Sequence, residues 1–246
     1  MHEDVYRDMF EVEDRHWWYS GKQRIVRNLL SRYLAPRTNG EKARVADLGC
    51  GCGIMLWHLS KEYEVRGVDG SPQAIEFCKQ RGGTVAQGQL PGPIGLPEKE
   101  FDAVLLLDVI EHLEKDFDSV KSAAELLKPG GIMIITVPAY QWLWSKWDTH
   151  HHHYRRYNRK MLRSAMDHPS LKLEMLSYYN AWLFPLAATA RIAGNVLSKE
   201  GEVGPIKVPA APVNATFREI FASERALLGR VPLPFGLSVV AVARRV

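Results

Sequence analysis

The chain reads as an α/β protein built on one mostly parallel sheet of seven strands, with helices on both faces. Three observations carry that reading. From residue 44 onward, short β-branched or aliphatic runs alternate with amphipathic stretches of helical length, the pattern of buried strands joined by crossover helices. The composition, 46% apolar and 24% charged over 246 residues, belongs to a globular chain with a substantial core, not to a disordered, collagenous or transmembrane one. No internal repeat or low-complexity linker divides the sequence. Residues 1–246 are therefore read as a single domain, with a helical leader over 1–40, a core over 41–177, an inserted cap over 178–232 and a last strand within 233–246.

The elements follow in order. The leader supplies helices ahead of the first strand. Strands are expected at 44–48, 64–68, 84–86, 102–107 and 131–137, where aliphatic residues dominate. Helices lie between them at about 53–61, 72–81 and 116–128. The last of these is ended by Lys128-Pro129-Gly130-Gly131, a stop signal. A further helix is expected at 158–167 with Asn158 as its N-cap, then a weaker strand at 171–177 and the last strand at 236–243. The cap contains a nearly uncharged tract at 175–197, broken by Pro185 and Arg191. Those two residues weaken a membrane span. A lid over an apolar acceptor, a subunit surface, or an interfacial helix edged by Trp182 and Arg191 remain open.

Charge and cysteine content narrow the setting. Cys50, Cys52 and Cys78 are too few and too clustered for a disulfide framework, which points to a reducing, cytoplasmic compartment. The first twenty residues are acidic and hold no apolar run, so no secretory signal is expected. The net charge of +4 is unevenly spread: residues 1–20 carry −4, 21–40 carry +5, 41–140 carry −5 and 141–172 carry +5.

The turn after the first strand reads Asp47-Leu48-Gly49-Cys50-Gly51-Cys52-Gly53. Glycines there let the backbone approach a ligand, and the following helix offers free N–H groups. A dinucleotide is disfavoured, because Ile54 or Leu56 stands where the third glycine of that fingerprint belongs. Asp47 would repel a pyrophosphate and tolerate a cation. With Gly67-Val68-Asp69-Gly70-Ser71, the run from Phe101 through Asp108, Glu111 and His112 to Leu113, and Leu127-Lys128-Pro129-Gly130-Gly131-Ile132, the chain resembles the class I S-adenosylmethionine-dependent methyltransferases. The resemblance is strong over residues 44–140. It implies a Rossmann-like sheet and S-adenosyl-L-methionine as cofactor. It places the methionine part of the cofactor on Asp47, Gly49, Cys50, Gly51 and Gly53, and the ribose hydroxyls on Asp69 beside Gly70. The adenine falls near Gln87, Gln89 and Leu90, and Asp108, Val109 and His112 stand beside the transferred methyl.

Two further segments resemble a bacterial group of these enzymes. One is the leader His16-Trp17-Trp18, where Trp18 is expected to fold over the cofactor; an aromatic face favours a sulfonium cation. The other is Trp142, Trp144, Trp147 and Asp148 followed by His153-Tyr154-Arg155-Arg156-Tyr157. Here Trp144, Asp148, Arg155 and Arg156 are candidate acceptor-binding residues, the arginines as a fork for carboxylate or phosphate. His153, Tyr157 and His112 are the candidate catalytic groups. His150 and His151 are expected in a solvent-exposed loop. The fourth-strand end also resembles the Glu-x-x-Glu-His of small-RNA 2′-O-methyltransferases and ubiquinone-pathway O-methyltransferases, which holds a divalent metal there. Asp108 replaces the first glutamate, so the metal-free reading is adopted; Asp108, Glu111 and His112 are the metal alternative.

The function expected is methyl transfer to a small-molecule or lipid-linked acceptor, anionic rather than cationic, at oxygen. Peripheral membrane contact accords with the cap, and nucleic acid is not the expected partner. A metal-dependent RNA 2′-O-methyltransferase and a non-catalytic S-adenosylmethionine-binding module stand as alternatives.

Overall fold

Seven strands form one sheet in the order β3-β2-β1-β4-β5-β7-β6. These are β1 (Arg44–Leu48), β2 (Glu64–Asp69), β3 (Val85–Gln87), β4 (Phe101–Leu107), β5 (Leu127–Pro138), β6 (Leu171–Tyr179) and β7 (Ser238–Arg245). β1 to β5 run parallel, whereas β7 lies antiparallel between β5 and β6. The computed structural model describes residues 3–35, 40–197 and 206–246. Parts of the expected leader (36–39) and cap (198–205) lie outside the described residues.

The helices are α1 (Glu3–Val12), α2 (Trp17–Tyr33), α3 (Ile54–Leu59), α4 (Pro72–Gln80), α5 (Asp116–Glu125), α6 (Lys146–His150), α7 (Arg159–Ala165), α8 (Phe184–Leu197) and α9 (Ala211–Ser223). Alternation along the strands sorts the core into two layers. Ala46, Leu48, Val104, Leu106, Met133 and Ile135 face Val120 and Ala123 of α5 and Leu162 of α7. Val45, Ala103, Leu105 and Ile134 face Ile25, Leu29 and Leu30 of α2, Leu56 of α3 and Phe221 of α9. Asn158 caps α7 as expected, its side chain accepting from the Met161 N–H at 2.9 Å.

One boundary differs from expectation. α5 ends at Glu125, and Lys128-Pro129-Gly130-Gly131 runs inside β5. The register slips there, Phe101 pairing with Leu127 but Ala103 with Ile132. Gly130, at φ 80°, takes the turn of that bulge. The four residues stop the helix, but by bending a strand.

The leader and cap meet. The Asn214 side chain on α9 accepts from the Trp17 N–H at 2.9 Å and donates to the Arg15 carbonyl at 2.8 Å. Gly21 of α2 lies so close to Phe221 that a Cβ there would sit 2.5 Å from the ring. Sheet order reverses between β1 and β4, and in open α/β sheets the crevice outside those strand ends is where ligands bind. Leader and cap both border it. Among the described residues, no helix is long and apolar enough to cross a membrane.

Candidate functional site

A cavity of about 1050 Å³ occupies that crevice. Its floor is the turn between β1 and α3. Gly49, at φ 71°, allows the loop to pass Val109, whose Cγ2 would lie 2.6 Å from an added Cβ. Gly49, Cys50 and Gly51 line the space, with Asp47 beneath them. At the end of β2, Asp69 accepts from the Gly51 N–H and the Ser71 N–H, both at 2.9 Å. The same carboxylate thus braces the glycine loop and faces the cavity with Gly70. Burial raises the Asp69 pKa, against the lowering effect of those backbone donors. Burial also pushes Asp47 up to about 7; Lys22 opposes this and Asp69 reinforces it. A cation arriving here would be met by carboxyl groups that gain from its charge.

The leader closes one side. Trp18 lines the cavity, and the Lys22 ammonium lies 4.8 Å from its ring centroid. Lys22 is 5% exposed and donates to Asp108 Oδ2 at 2.6 Å, while Thr136 Oγ1 donates to Asp108 Oδ1 at 3.0 Å. Asp108 sits at φ 58°, beyond the last residue of β4. Lys22 therefore ties the leader to the end of β4 at the centre of the sheet through its ion pair with the half-buried Asp108.

Beyond β4 a histidine cluster lines the far end. One ligand atom each from Glu111, His112 and His153 lies within 4.8 Å of the others. Both Glu111 carboxyl oxygens are buried and without a hydrogen-bond partner. Burial and the nearby Asp108 raise the Glu111 pKa well above the carboxylate range. Burial, with His153 alongside, pushes His112 down to about 3, so its imidazole is neutral. Two imidazoles and a carboxyl group are a donor set that could hold a divalent cation such as Mn²⁺ or Zn²⁺.

His153 Nδ1 stands 3.0 Å from Asp148 Oδ1. Asp148 is 1% exposed and also takes Arg156 Nη1 and Arg191 Nη1, each at 3.2 Å, and the Ser145 N–H at 2.9 Å. Burial would raise its pKa, but the His153 hydrogen bond and the two guanidinium groups outweigh burial and hold it below the usual carboxylate range. An ionised carboxylate only accepts, so Nδ1 of His153 is the donor in this contact. His153, Asp148, Arg156 and Arg191 all line the cavity.

Comparison with known proteins then identifies the architecture. The methyltransferase-domain family matches residues 17–178. The chain belongs to that family. The structure of an S-adenosylmethionine-dependent methyltransferase from Thermotoga maritima superposes with a TM-score of 0.57 at 17% identity, covering 99% of this chain and 96% of that one. One from Archaeoglobus fulgidus gives 0.52 at 21% identity, covering 91% and 94%. These likenesses establish the fold. The mitochondrial ubiquinone biosynthesis O-methyltransferase of Schizosaccharomyces pombe is 30% identical over 145 residues, 52% of this chain and 53% of the relative. Its namesake in Cereibacter sphaeroides is 33% identical over 100 residues, 38% and 40%. The chain thus spans about half or less of these relatives' length. The cofactor of the methyltransferase is S-adenosylmethionine, as the resemblance implied.

The methyltransferase cavity brings together most of the residues singled out from sequence. Asp47, Gly49, Cys50, Gly51, Asp69, Gly70, Gln89, Leu90, Asp108, Val109, His112, Trp18, Asp148, Arg156 and His153 line it. Others fall elsewhere. Gly53 and Gln87 are not in the lining. A Cβ on Gly53 would meet Cys78 Sγ at 2.6 Å, so this glycine serves the packing of α3 on α4. Tyr157 is buried behind the site, its hydroxyl donating to Asp116 Oδ2 at 2.7 Å. Arg155 pairs with Asp116 at 2.9 Å and donates to the Leu113 and Glu114 carbonyls. Trp144 donates from Nε1 to Thr149 Oγ1 outside the lining. Arg156 spends Nε on the Ala139 carbonyl and Nη1 on the Leu143 carbonyl and Asp148. His151 is 7% exposed and lines the cavity, contrary to the exposed loop expected. Asp108 of the metal alternative is turned to Lys22 and Thr136, and His153 stands in the cluster instead.

Sequence reasoning missed Lys22, Arg191 and Asn180. Asn180 follows β6 at φ 57°, its backbone N–H held by the buried Glu224 at 2.6 Å. Its Oδ1 is buried without a partner, and the residue lines the cavity. A lone lysine in a basic block, or an asparagine after a strand, carries no signal until the partner is known.

Proposed function

We propose that the protein transfers the methyl group of S-adenosylmethionine to an oxygen of a small-molecule or lipid-linked acceptor held between His153 and the cap. The His153–Asp148 pair carries this reading, because it sets an imidazole oriented by a buried carboxylate in the wall of the donor cavity. The O-methyltransferase names of the relatives support oxygen as the atom methylated. When bound, S-adenosylmethionine supplies a methyl on a sulfonium, activated for in-line displacement. His153 Nε2 takes the proton as the acceptor hydroxyl attacks, which raises the oxygen's nucleophilicity only as the new bond forms. Asp148 holds the imidazole in the tautomer that can do so, and Arg156 and Arg191 keep that carboxylate ionised. Trp18 and the leader exclude water from the reacting atoms.

On the donor side, Asp69 accepts both ribose hydroxyls, for which a carboxylate is the natural bidentate partner. Asp69→Ala is expected to weaken S-adenosylmethionine binding by one or two charge-assisted hydrogen bonds, about 1.5–3 kcal/mol each. Unchanged affinity by titration calorimetry would remove the ribose role.

The unpartnered Glu111 carboxyl, close to two imidazoles, favours one second reading. A divalent cation on Glu111, His112 and His153 would lower the pKa of the acceptor hydroxyl in place of a protein base. The test is S-adenosylhomocysteine release with hydroxylated acceptors, in chelator and after adding back Mn²⁺. Full activity in chelator leaves His153 as the base. Loss that Mn²⁺ restores selects the metal. Tight cofactor binding without S-adenosylhomocysteine from any acceptor would overturn both.

A further inference from the structure

We infer that the cap helix α8 and the aromatic loop after β5 form a docking face for an anionic lipid bilayer. An ordinary surface helix shows solvent a charged stripe. α8 instead exposes Pro185, Leu186, Thr189 and Ala190. Ahead of it Trp182 is 51% exposed, and across the loop Trp142 is 56% exposed. Ring contacts join Tyr140, Trp142, Phe184 and Phe235 into one surface, and the exposed Trp182 and Leu186 flank Phe184 in the chain. Phe184 packs edge-on to Trp142 at 6.2 Å and against the exposed Phe235 at 5.6 Å, and Tyr140 bridges Trp142 and Phe184. Isolated exposed apolar residues are ordinary; a contiguous group with two exposed tryptophans marks a contact surface.

Charge selects the occupant. Tyr140 stacks on Tyr178 at 5.0 Å, and the Arg159 guanidinium lies 5.2 Å from the Tyr178 ring centroid. The basic helix α7, with Lys160 and Arg163 exposed, therefore borders the aromatic surface. No carboxylate pairs with Arg159, Lys160 or Arg163 among the described residues. The segments that build this face are almost free of acid. Residues 139–166 contain six Lys or Arg and one acid, the buried Asp148, while 175–197 and 225–246 contain none. Indole and apolar side chains edged by Lys and Arg are the composition that sits at a bilayer interface, the rings among headgroups and the cations against anionic lipid. A second copy of this chain would set like charge against like.

The position gives the face a purpose. Ala187 and Arg191 of the same helix line the cavity. The wall of the acceptor end is thus the inner side of the docking surface, where an acceptor with a lipid tail could enter without crossing water.

The experiment uses the full chain and needs no acceptor, so its failure is distinct from failure of the methyl-transfer reading. Co-sedimentation is measured with vesicles of phosphatidylcholine and phosphatidylglycerol in equal parts, and with phosphatidylcholine alone. Binding to the mixed vesicles with a blue shift of tryptophan emission is expected, weakening as salt shortens the Debye length from about 10 Å at 0.1 M to about 3 Å at 1 M. Lys160→Gln with Arg163→Gln should weaken binding ~25-fold, about fivefold per cation. Trp182→Ala with Leu186→Ser should weaken it ~10-fold or more. Both variants should keep native S-adenosylmethionine affinity, which shows that they fold. The inference is overturned if the native protein stays in the supernatant at low salt, or if it binds both vesicles alike and independently of salt. It is equally overturned if the Trp182/Leu186 variant merely dissociates a dimer while the native protein ignores vesicles.

Discussion

His153→Ala is expected to bind S-adenosylmethionine as the native protein does and to turn over ~10²–10⁴-fold more slowly, the range for loss of a general base. Affinity should survive because the donor contacts proposed above involve the glycine loop, Asp69 and the leader and not His153. Turnover should fall because His153 is the imidazole that Asp148 orients in the cavity wall. His112 is pushed down to about 3 and binds a proton too weakly. Burial and the nearby Asp108 raise the Glu111 pKa well above its ordinary value and disfavour its charged form. Tyr157 spends its hydroxyl on Asp116. The check pairs calorimetry of cofactor binding with steady-state S-adenosylhomocysteine release. Parallel loss of affinity and rate would make His153 a packing residue.

Asp148→Ala should destabilise the fold by ~3–5 kcal/mol, because it strands two guanidinium groups and an imidazole around a buried void. For a chain of this size that is a melting-temperature drop of about 6–20 °C. Arg156 carries most of the cost, being 4% exposed, whereas Arg191 at 30% can reach water. A melting temperature within a degree of native would show that the pair contributes nothing. The pH dependence follows from the same charges. Asp148 has a depressed pKa in the folded state, so it binds a proton more readily when unfolded. Its contribution is fully present above the unfolded value of about 3.9 and is lost as pH falls through the lower folded value. Denaturant midpoints should decline for the native protein below about pH 4 and fall less steeply for Asp148→Asn.

Most residues read as the donor side line the cavity, Gly53 and Gln87 excepted, for a physical reason. A loop that brings backbone to a ligand needs glycine at Gly49 and Gly51, and an acid two residues before it at Asp47 recurs with another at the end of the next strand. Each requirement is local, so each leaves a mark at a set spacing. The acceptor side was only partly legible. Asp148, His153 and Arg156 line the cavity, but Arg155 and Tyr157 were drawn into the site by sequence proximity alone. In the fold, the Tyr157 backbone bonds to Pro138 and Tyr140 around the end of β5, and the Tyr157 and Arg155 side chains both turn to Asp116 at the head of α5, whereas Arg156 between them lines the cavity. Adjacent residues in extended backbone face opposite ways, which is why a run of polar residues split between cavity and scaffold.

What the sequence determined by itself is the order of elements, the glycine loop, the acid at the end of β2 and the divided charge of the chain. Hydrophobic period and turn chemistry are written in neighbours a few residues apart, so they survive without knowledge of the fold. Only the tertiary structure decided that Lys22 neutralises Asp108 from 86 residues away, that Arg191 of the cap reaches Asp148 across 43, and that Asn180 presents a bare carbonyl to the cavity. Those pairings depend on which helix lies over which strand end. A buried charge is tolerable only where a partner from another element meets it, and that partner cannot be read from either residue alone.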